Sequence, residues 1–321
     1  MKILAIESSC DEFSISIMNN GKILSNVISS QIEEHSKFGG VLPELASRLH
    51  VENFHWVLNK SLYQSKVKLK DIDYISYTSN PGLIGSLIIG KLVAQTLAIY
   101  LNRPLMKMNH IQGHIYAANI EEKMLYPVLA LVISGGHTQI QLLEKTLDFK
   151  VIGSTQDDAV GECYDKVARV LGLKYPGGPK IDKLAQKGDS TKYILPISKN
   201  DDTYDFSFSG LKTASLNLIS KLNQKQEELI VEDFCASFQK TVLDTLMLKF
   251  EKAVKEFKPK SITVVGGVSA NTAIRNKFCE IGNKYNISKI IIPKIEYCTD
   301  NAAMIAELTN EFLTKDNQGG L

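Results

Sequence analysis

The chain has 321 residues, 44% hydrophobic and 22% charged, with a formal net charge of +2. That composition excludes the disordered class, and the length suits one large domain or two of ordinary size. So mild a charge excludes nucleic-acid binding by bulk electrostatics alone. With arginine only at Arg48, Arg103, Arg169 and Arg275, anion contacts lean on Lys or on backbone N–H groups.

In chain order, KILAIE (2–7) is a short apolar run, FSISIMN (13–19) alternates with period two, and KILSNVI (22–28) follows the Asn19-Asn20-Gly21 turn. This predicts a three-stranded meander. The first run is cut at Glu7, too short for a signal peptide. A long helix is expected over 43–65 with Pro43 in its first turn, then a strand over 72–79, a turn at Asn80-Pro81-Gly82 and an apolar helix over 83–101. That last helix is about long enough to span a bilayer. The Pro-Gly turn before it, and Lys91 and Gln95 within it, favour a buried core helix and no membrane contact.

The second half repeats the plan. Strands are expected over 128–134, 137–143 and 149–155, with Gly135-Gly136 in the first turn. Several helices follow, with the clearest periodicity over 226–257. Then come a strand over 260–267, a helix over 269–282 opening at Ser269, a strand over 289–293 and a closing helix from about Thr299-Asp300. The polar tail KDNQGGL (315–321) is expected to fray. The five cysteines, Cys10, Cys163, Cys235, Cys279 and Cys298, are odd in number and form no CxxC, which points to a reducing, cytoplasmic setting.

Each half therefore holds a hairpin with a small-residue turn and, later, a strand, a glycine turn and a helix. The expected fold is α/β: an actin/Hsp70/sugar-kinase-like duplication of two lobes with the active site in the cleft between them. The expected division is residues 1–125 plus the closing helix at about 300–315, against residues 126–299. A single doubly wound domain without duplication is the alternative.

Adjacent glycines recur in SGG (134–136), YPGGP (175–179) and VGGVSAN (265–271). Paired glycines let backbone approach a ligand and aim successive N–H groups at an anion, and VGGVSAN adds a helix N-terminus. No P-loop and no GxGxxG pattern is present. NHIQGH (109–114) sets His110 and His114 four residues apart, able to share one face of a helix and one metal. Ile111 stands where the zincin motif needs its glutamate, against a metalloprotease. Asp300 in YCTDNAAM is the candidate third ligand, with helix N-capping as its alternative role.

Nine blocks then occur in order across nearly the whole chain: ESSCDE (7–12), HSKFGGVLPELASRLH (35–50), NPGLIGSL (80–87), NHIQGH (109–114), VISGGHTQ (132–139), GECYDKVARVLGLKYPGGP (161–179), FSFSGLKT (206–213), GGVSAN (266–271) and YCTDNAAM (297–304). Together they resemble the tRNA N6-adenosine threonylcarbamoyltransferase family, called TsaD in bacteria and once labelled O-sialoglycoprotein endopeptidase. The resemblance implies an acyltransferase that moves L-threonylcarbamoyl from threonylcarbamoyl-AMP to N6 of adenosine 37 in tRNAs reading codons that begin with A. It implies one divalent metal per subunit, Fe(2+) by family habit with Zn(2+) as the alternative, held by His110, His114 and Asp300. It implies a substrate loop at Val132, Ile133, Ser134, Gly135 and Gly136, and adenylate contacts at Asp165, Gly178, Asp182 and Asn271. The partners it implies are tRNA, a TsaB-like paralogue and a TsaE-like ATPase. The chain departs from the family pattern at Gln112, where Glu is usual, and at Phe13, where Thr is usual.

The metal is expected to polarise the carbamoyl carbonyl or anchor the phosphate, and Glu12 or Asp11 to take the N6 proton. The other readings are an ATP-dependent small-molecule kinase or ATPase of the same fold and a noncatalytic scaffold like the shorter paralogue.

Overall fold

The computed structural model describes residues 1–318. The chain divides into two compact units, Met1–Lys123 with the segment from Pro293 onward, and Met124–Ile292.

The first unit opens with the meander β1 (Lys2–Glu7), β2 (Glu12–Asn19) and β3 (Lys22–Ser30), paired antiparallel. The helices α1 (Ile32–Ser36) and α2 (Pro43–Ser65) follow, then β4 (Tyr74–Asn80), α3 (Ile84–Leu101), β5 (Leu105–Asn109) and α4 (His110–Ala117). The strand order is β3-β2-β1-β4-β5, with β4 parallel to both β1 and β5. β1 is central, and its near-continuous apolar run is buried from Ile3 to Glu7, as a strand covered on both faces requires.

The second unit has β6 (Val128–Ile133), β7 (Thr138–Leu143) and β8 (Phe149–Ser154), then α5 (Val160–Val170), α6 (Gly178–Ala185), α7 (Ser209–Gln224) and α8 (Val231–Phe257). It closes with β9 (Ser261–Val265), α9 (Thr272–Lys284) and β10 (Lys289–Ile291). Its strand order, β8-β7-β6-β9-β10, matches that of the first unit strand for strand, with β9 parallel to β6 and β10. The fold is thus a duplicated α/β fold of the actin and sugar-kinase kind. The chain then returns to the first unit with α10 (Ala302–Gln318), which packs on α4, β1 and β2.

Three expectations need correcting. α3 is not a buried core helix: Ser86, Gly90, Ala94 and Ala98 form its inward stripe, while Ile84, Ile88, Leu92, Ile99 and Tyr100 are exposed. The small side chains let it lie close to the sheet, so that a Cβ on Gly90 would meet Ser8 Oγ at 2.0 Å, and its large apolar residues are left outside. The helix expected from Ser269 begins at Thr272, because 267–270 form a separate 3-10 turn and Asn271 caps α9. The closing helix begins at Ala302, and residues 315–318 continue it. The rest of the tail, 319–321, lies outside the described residues.

Candidate functional site

In the first unit, α4 starts where β5 stops: Asn109 Oδ1 accepts the Gln112 N–H at 3.1 Å, capping the helix. His110 and His114 then stand one turn apart, ring centroids 4.6 Å from each other in a T-shaped arrangement. The first N–H groups of α10 are satisfied by Ser14 Oγ (to Ala302, 3.0 Å), Asn26 Oδ1 (to Ala303, 3.2 Å) and Asn301 Oδ1 (to Met304, 3.2 Å). Asn301 therefore does the capping that was the alternative role for Asp300. The Asp300 carboxylate turns instead to the histidines, 3.0 Å from His114 Nε2 and 3.6 Å from His110 Nε2. Gly113 lets α4 and α10 close up, since a methyl there would meet Ile305 Cδ1 at 2.8 Å.

One ligand atom from each of His110, His114 and Asp300 lies within 4.8 Å of the others. Burial opposes charge on both His110 and Asp300, but their mutual attraction wins. With Glu7 adding to Asp300, His110 is raised to about 9, and Asp300 is held well below the carboxylate range by His110 and His114. His114 Nδ1 is buried with no hydrogen-bond partner among the described residues. Two imidazoles and one carboxylate fit a borderline divalent cation and leave coordination positions for substrate.

Three groups that sequence reasoning did not single out complete this centre. Glu7 is fully buried; its Oε1 accepts the Ser9 N–H at 2.6 Å, and its Oε2 accepts from Thr78 Oγ1 and meets His110 Nδ1 at 3.2 Å. Ser9 Oγ lies 3.1 Å from His110 Nδ1 and donates to Asp300 Oδ2 at 3.4 Å. The available signal was a lone acidic residue closing an apolar central strand. Asp11 and Glu12 are nearly buried in the same unit. Burial raises both carboxyls, Asp300 pushes both further, and the Asp11 charge adds to the rise at Glu12.

The remaining expected residues lie in the second unit. Val132 and Ile133 are fully buried inside β6, so neither offers a side chain to a ligand. Beyond them the turn is exposed at Gly135 and Gly136, where an added Cβ would meet nothing within 4 Å, and the same holds for Gly267 beyond β9. By contrast, Gly161, Gly177 and Gly266 are required by the fold, each with a Cβ position under 3.0 Å from another atom. Asp165 Oδ1 accepts the Gly177 N–H at 2.7 Å, bracing the turn before Gly178. Asp182 accepts from Gln239 Nε2 at 3.0 Å and from the Thr272 N–H at 3.2 Å. It thereby occupies the α9 N-terminus that the sequence pattern offered to a phosphate. Asn271 caps α9 and donates to Gln239 Oε1 at 2.7 Å.

A family model described as TsaD, tRNA N6-adenosine threonylcarbamoyltransferase, matches residues 22–307. The chain belongs to this family. Relatives of that name include one from Mycoplasma capricolum, 62% identical over 318 residues, covering 99% of this chain and 100% of the relative. Another, from Staphylococcus epidermidis, is 48% identical over 304 residues, covering 94% and 89%. Among solved structures, the chain is similar in fold to HypF of T. kodakarensis (TM-score 0.67, 14% identity, 98% of this chain and 48% of that one). It is also similar to the activator of 2-hydroxyisocaproyl-CoA dehydratase from Clostridium difficile (TM-score 0.56, 15% identity, 100% and 98%). The two positions expected to depart from the threonylcarbamoyltransferase family pattern are both accommodated in the first unit. Phe13 is buried against the His50 ring, centroids 5.4 Å apart, and Gln112 is half-buried, its backbone N–H held by the Asn109 cap.

Proposed function

We propose that the chain transfers the L-threonylcarbamoyl group from threonylcarbamoyl-AMP to N6 of adenosine 37 in tRNAs reading codons that begin with A. The observation that carries this reading is the His110–His114–Asp300 cluster in a chain of this family. These three would hold one divalent cation, Fe(2+) in preference to Zn(2+). When bound, it supplies Lewis-acid polarisation of the carbamoyl carbonyl and an anchor for phosphate oxygen.

The N6–carbamoyl bond forms as the carbamoyl–phosphate anhydride bond breaks and AMP leaves, so positioning matters more than a strong base. Gly135 and Gly136, open to close approach, present backbone N–H groups to the donor. Ser134 shapes that turn by accepting the His137 N–H at 3.1 Å, Val132 and Ile133 root it in the sheet, and Asp165, Gly178, Asp182 and Asn271 form the adenylate side. Glu12 or Asp11 takes the N6 proton; carboxyls whose affinity for protons is raised by burial suit that role. The adenine edge reaches the centre by loop geometry or flipping.

The reaction belongs to the cytoplasm, and a TsaB-like paralogue and a TsaE-like ATPase assist it. Two observations support a protein partner: the net charge of +2 is small for binding tRNA unaided, and α3 leaves Ile84, Ile88 and Leu92 exposed.

The test is incubation with threonylcarbamoyl-AMP and unmodified tRNA, with and without partner proteins, reading modified adenosine by mass spectrometry. Phosphoryl transfer from ATP to a small acceptor, with tRNA left unmodified in every arm, would overturn the reading in favour of a kinase.

A further inference from the structure

Three neighbouring strands of the first sheet deliver a cluster at their C-terminal ends. Glu7 closes β1, and Thr78 lies on β4 one position beyond the Ile6–Tyr77 pair. His110 is the residue after β5. Glu7 is a fully buried carboxylate whose one ion-pair contact, among the described residues, is His110 at 3.2 Å. A buried acid without lysine or arginine costs several kcal/mol unless donors converge on it. Here they do: the Ser9 N–H on Oε1, the Thr78 hydroxyl and the His110 ring on Oε2.

We infer that Glu7, clamped by Thr78, is a positioning residue that keeps the proton of His110 on Nδ1 and so turns Nε2 toward Asp300 as the ligand atom. The Ser9 N–H can only donate, and the Thr78 hydroxyl donates as well, so the Glu7 oxygens are fixed as acceptors. Ser9 Oγ, 3.1 Å from the same Nδ1, gives its hydrogen to Asp300 Oδ2 and so also meets Nδ1 as an acceptor, which leaves Nδ1 as the protonated nitrogen. Metal-bound histidines are commonly held this way by a carboxylate on the far nitrogen, which fixes the ring and raises its basicity. His114 has no such support, its Nδ1 being without a partner among the described residues. The two histidines are therefore unequal, with His110 the pre-set ligand. This inference rests on the metal reading above.

The experiment compares the full-length chain with Glu7→Gln and Thr78→Val, the second keeping side-chain shape should the first fail to fold. Zn(2+) affinity is read by competition with a chromophoric chelator, and the ring tautomers by long-range proton–nitrogen NMR of the Zn(2+)-loaded protein. The parent is expected to show His110 protonated on Nδ1. Both variants should bind Zn(2+) about 10 to 100-fold more weakly, with mixed His110 tautomers, unchanged His114 signals and an unchanged far-ultraviolet spectrum. Folded variants with parental affinity and an unchanged His110 tautomer overturn the positioning role and leave the metal reading intact. A parent that takes up neither Zn(2+) nor Fe(2+) overturns the metal reading itself, and this inference with it.

Discussion

Alanine substitutions at two adjacent glycines should have opposite consequences. Gly266 has φ +90 and ψ 164, a region almost closed to other residues. An added Cβ would sit 2.4 Å from the backbone oxygen of Ile133 and 2.9 Å from its carbonyl carbon, in a central strand that cannot swing aside. Backbone strain of about 1–3 kcal/mol and overpacking of about 1–3 kcal/mol together predict a loss of about 2–6 kcal/mol for Gly266→Ala. That is a large part of the roughly 5–15 kcal/mol that holds a domain folded. Apart from its chain neighbours, Gly267 has no atom of the described residues within 4 Å of its Cβ position, and neither has Gly135 or Gly136. Alanine at those three positions should leave stability unchanged or raise it by up to about 1 kcal/mol, through the less flexible unfolded chain. Yet a methyl at Gly135 or Gly136 would fill the space the donor needs, so donor affinity should fall at least about tenfold there, about 1.4 kcal/mol. Urea unfolding followed by circular dichroism reads the first effect. Calorimetry with a non-transferable analogue of the donor, together with single-turnover transfer, reads the second. A Gly266→Ala chain as stable as its parent would refute the steric argument, and parental donor affinity in both Gly135→Ala and Gly136→Ala would refute the proposed donor edge.

Replacing His110, His114 or Asp300 singly by Ala should abolish stoichiometric metal uptake and transfer while the fold survives; an active, metal-replete His114→Ala chain contradicts the assignment. Gln112→Glu should leave metal content and transfer rate within a few-fold of the parent. Position 112 is turned about 200° around the helix from His110, and a role behind the ligands would instead show a change of about 10 to 100-fold. Burial holds His50 down to about 4, below its ordinary 6.5. The unfolded chain therefore takes a proton that the folded chain refuses, and stability should decline by up to about 3 kcal/mol as pH falls from 6.5 toward 4. His50→Gln should flatten that part of the pH–stability curve, and an unaltered curve would show that His50 does not titrate as argued.

The fold was legible where periodicity runs long. The meander, α2 and the second set of strands lie within a residue or two of their expected bounds, because alternation and apolar runs there exceed what a turn can mimic. β5 went unread because LMKMN is short and follows Pro104 directly. The burial of α3 was misjudged because composition cannot tell which face a helix turns inward. Its stripe of Ser86, Gly90, Ala94 and Ala98 carries little hydrophobic signal but permits the closest packing. At the site, His110 and His114 could be paired by spacing alone. Nothing in the spacing could separate capping from ligation at Asp300, which depends on Asn301, Ser14 and Asn26 serving the helix end instead. Glu7 and Thr78 were invisible because their partnership exists only across strands 71 residues apart.

The duplication explains why the three candidate metal ligands come from such distant parts of the chain. In each half the fifth strand hands over to a helix: β5 to α4, and β10, after a short crossing, to α10. α4 and α10 are therefore topological equivalents, one from each repeat, yet they pack against one another within the first unit. His110 opens the first of them and Asp300 lies just ahead of the second. The histidines thus come from the helix after the fifth strand of one repeat, and the Asp300 carboxylate from the turn before its equivalent in the other. Joining two copies, with the last helix returned to the first, brings the two donor types together. Gly113 marks the same event in packing, since the residue between the histidines must stay small for Met304 and Ile305 of α10 to approach. Lengthening Gly113 to Val should thus act on metal affinity through the α4–α10 spacing while leaving all three ligands in place. A Gly113→Val chain that folds and binds Zn(2+) as the parent does would show that the spacing of the two helices does not set the site.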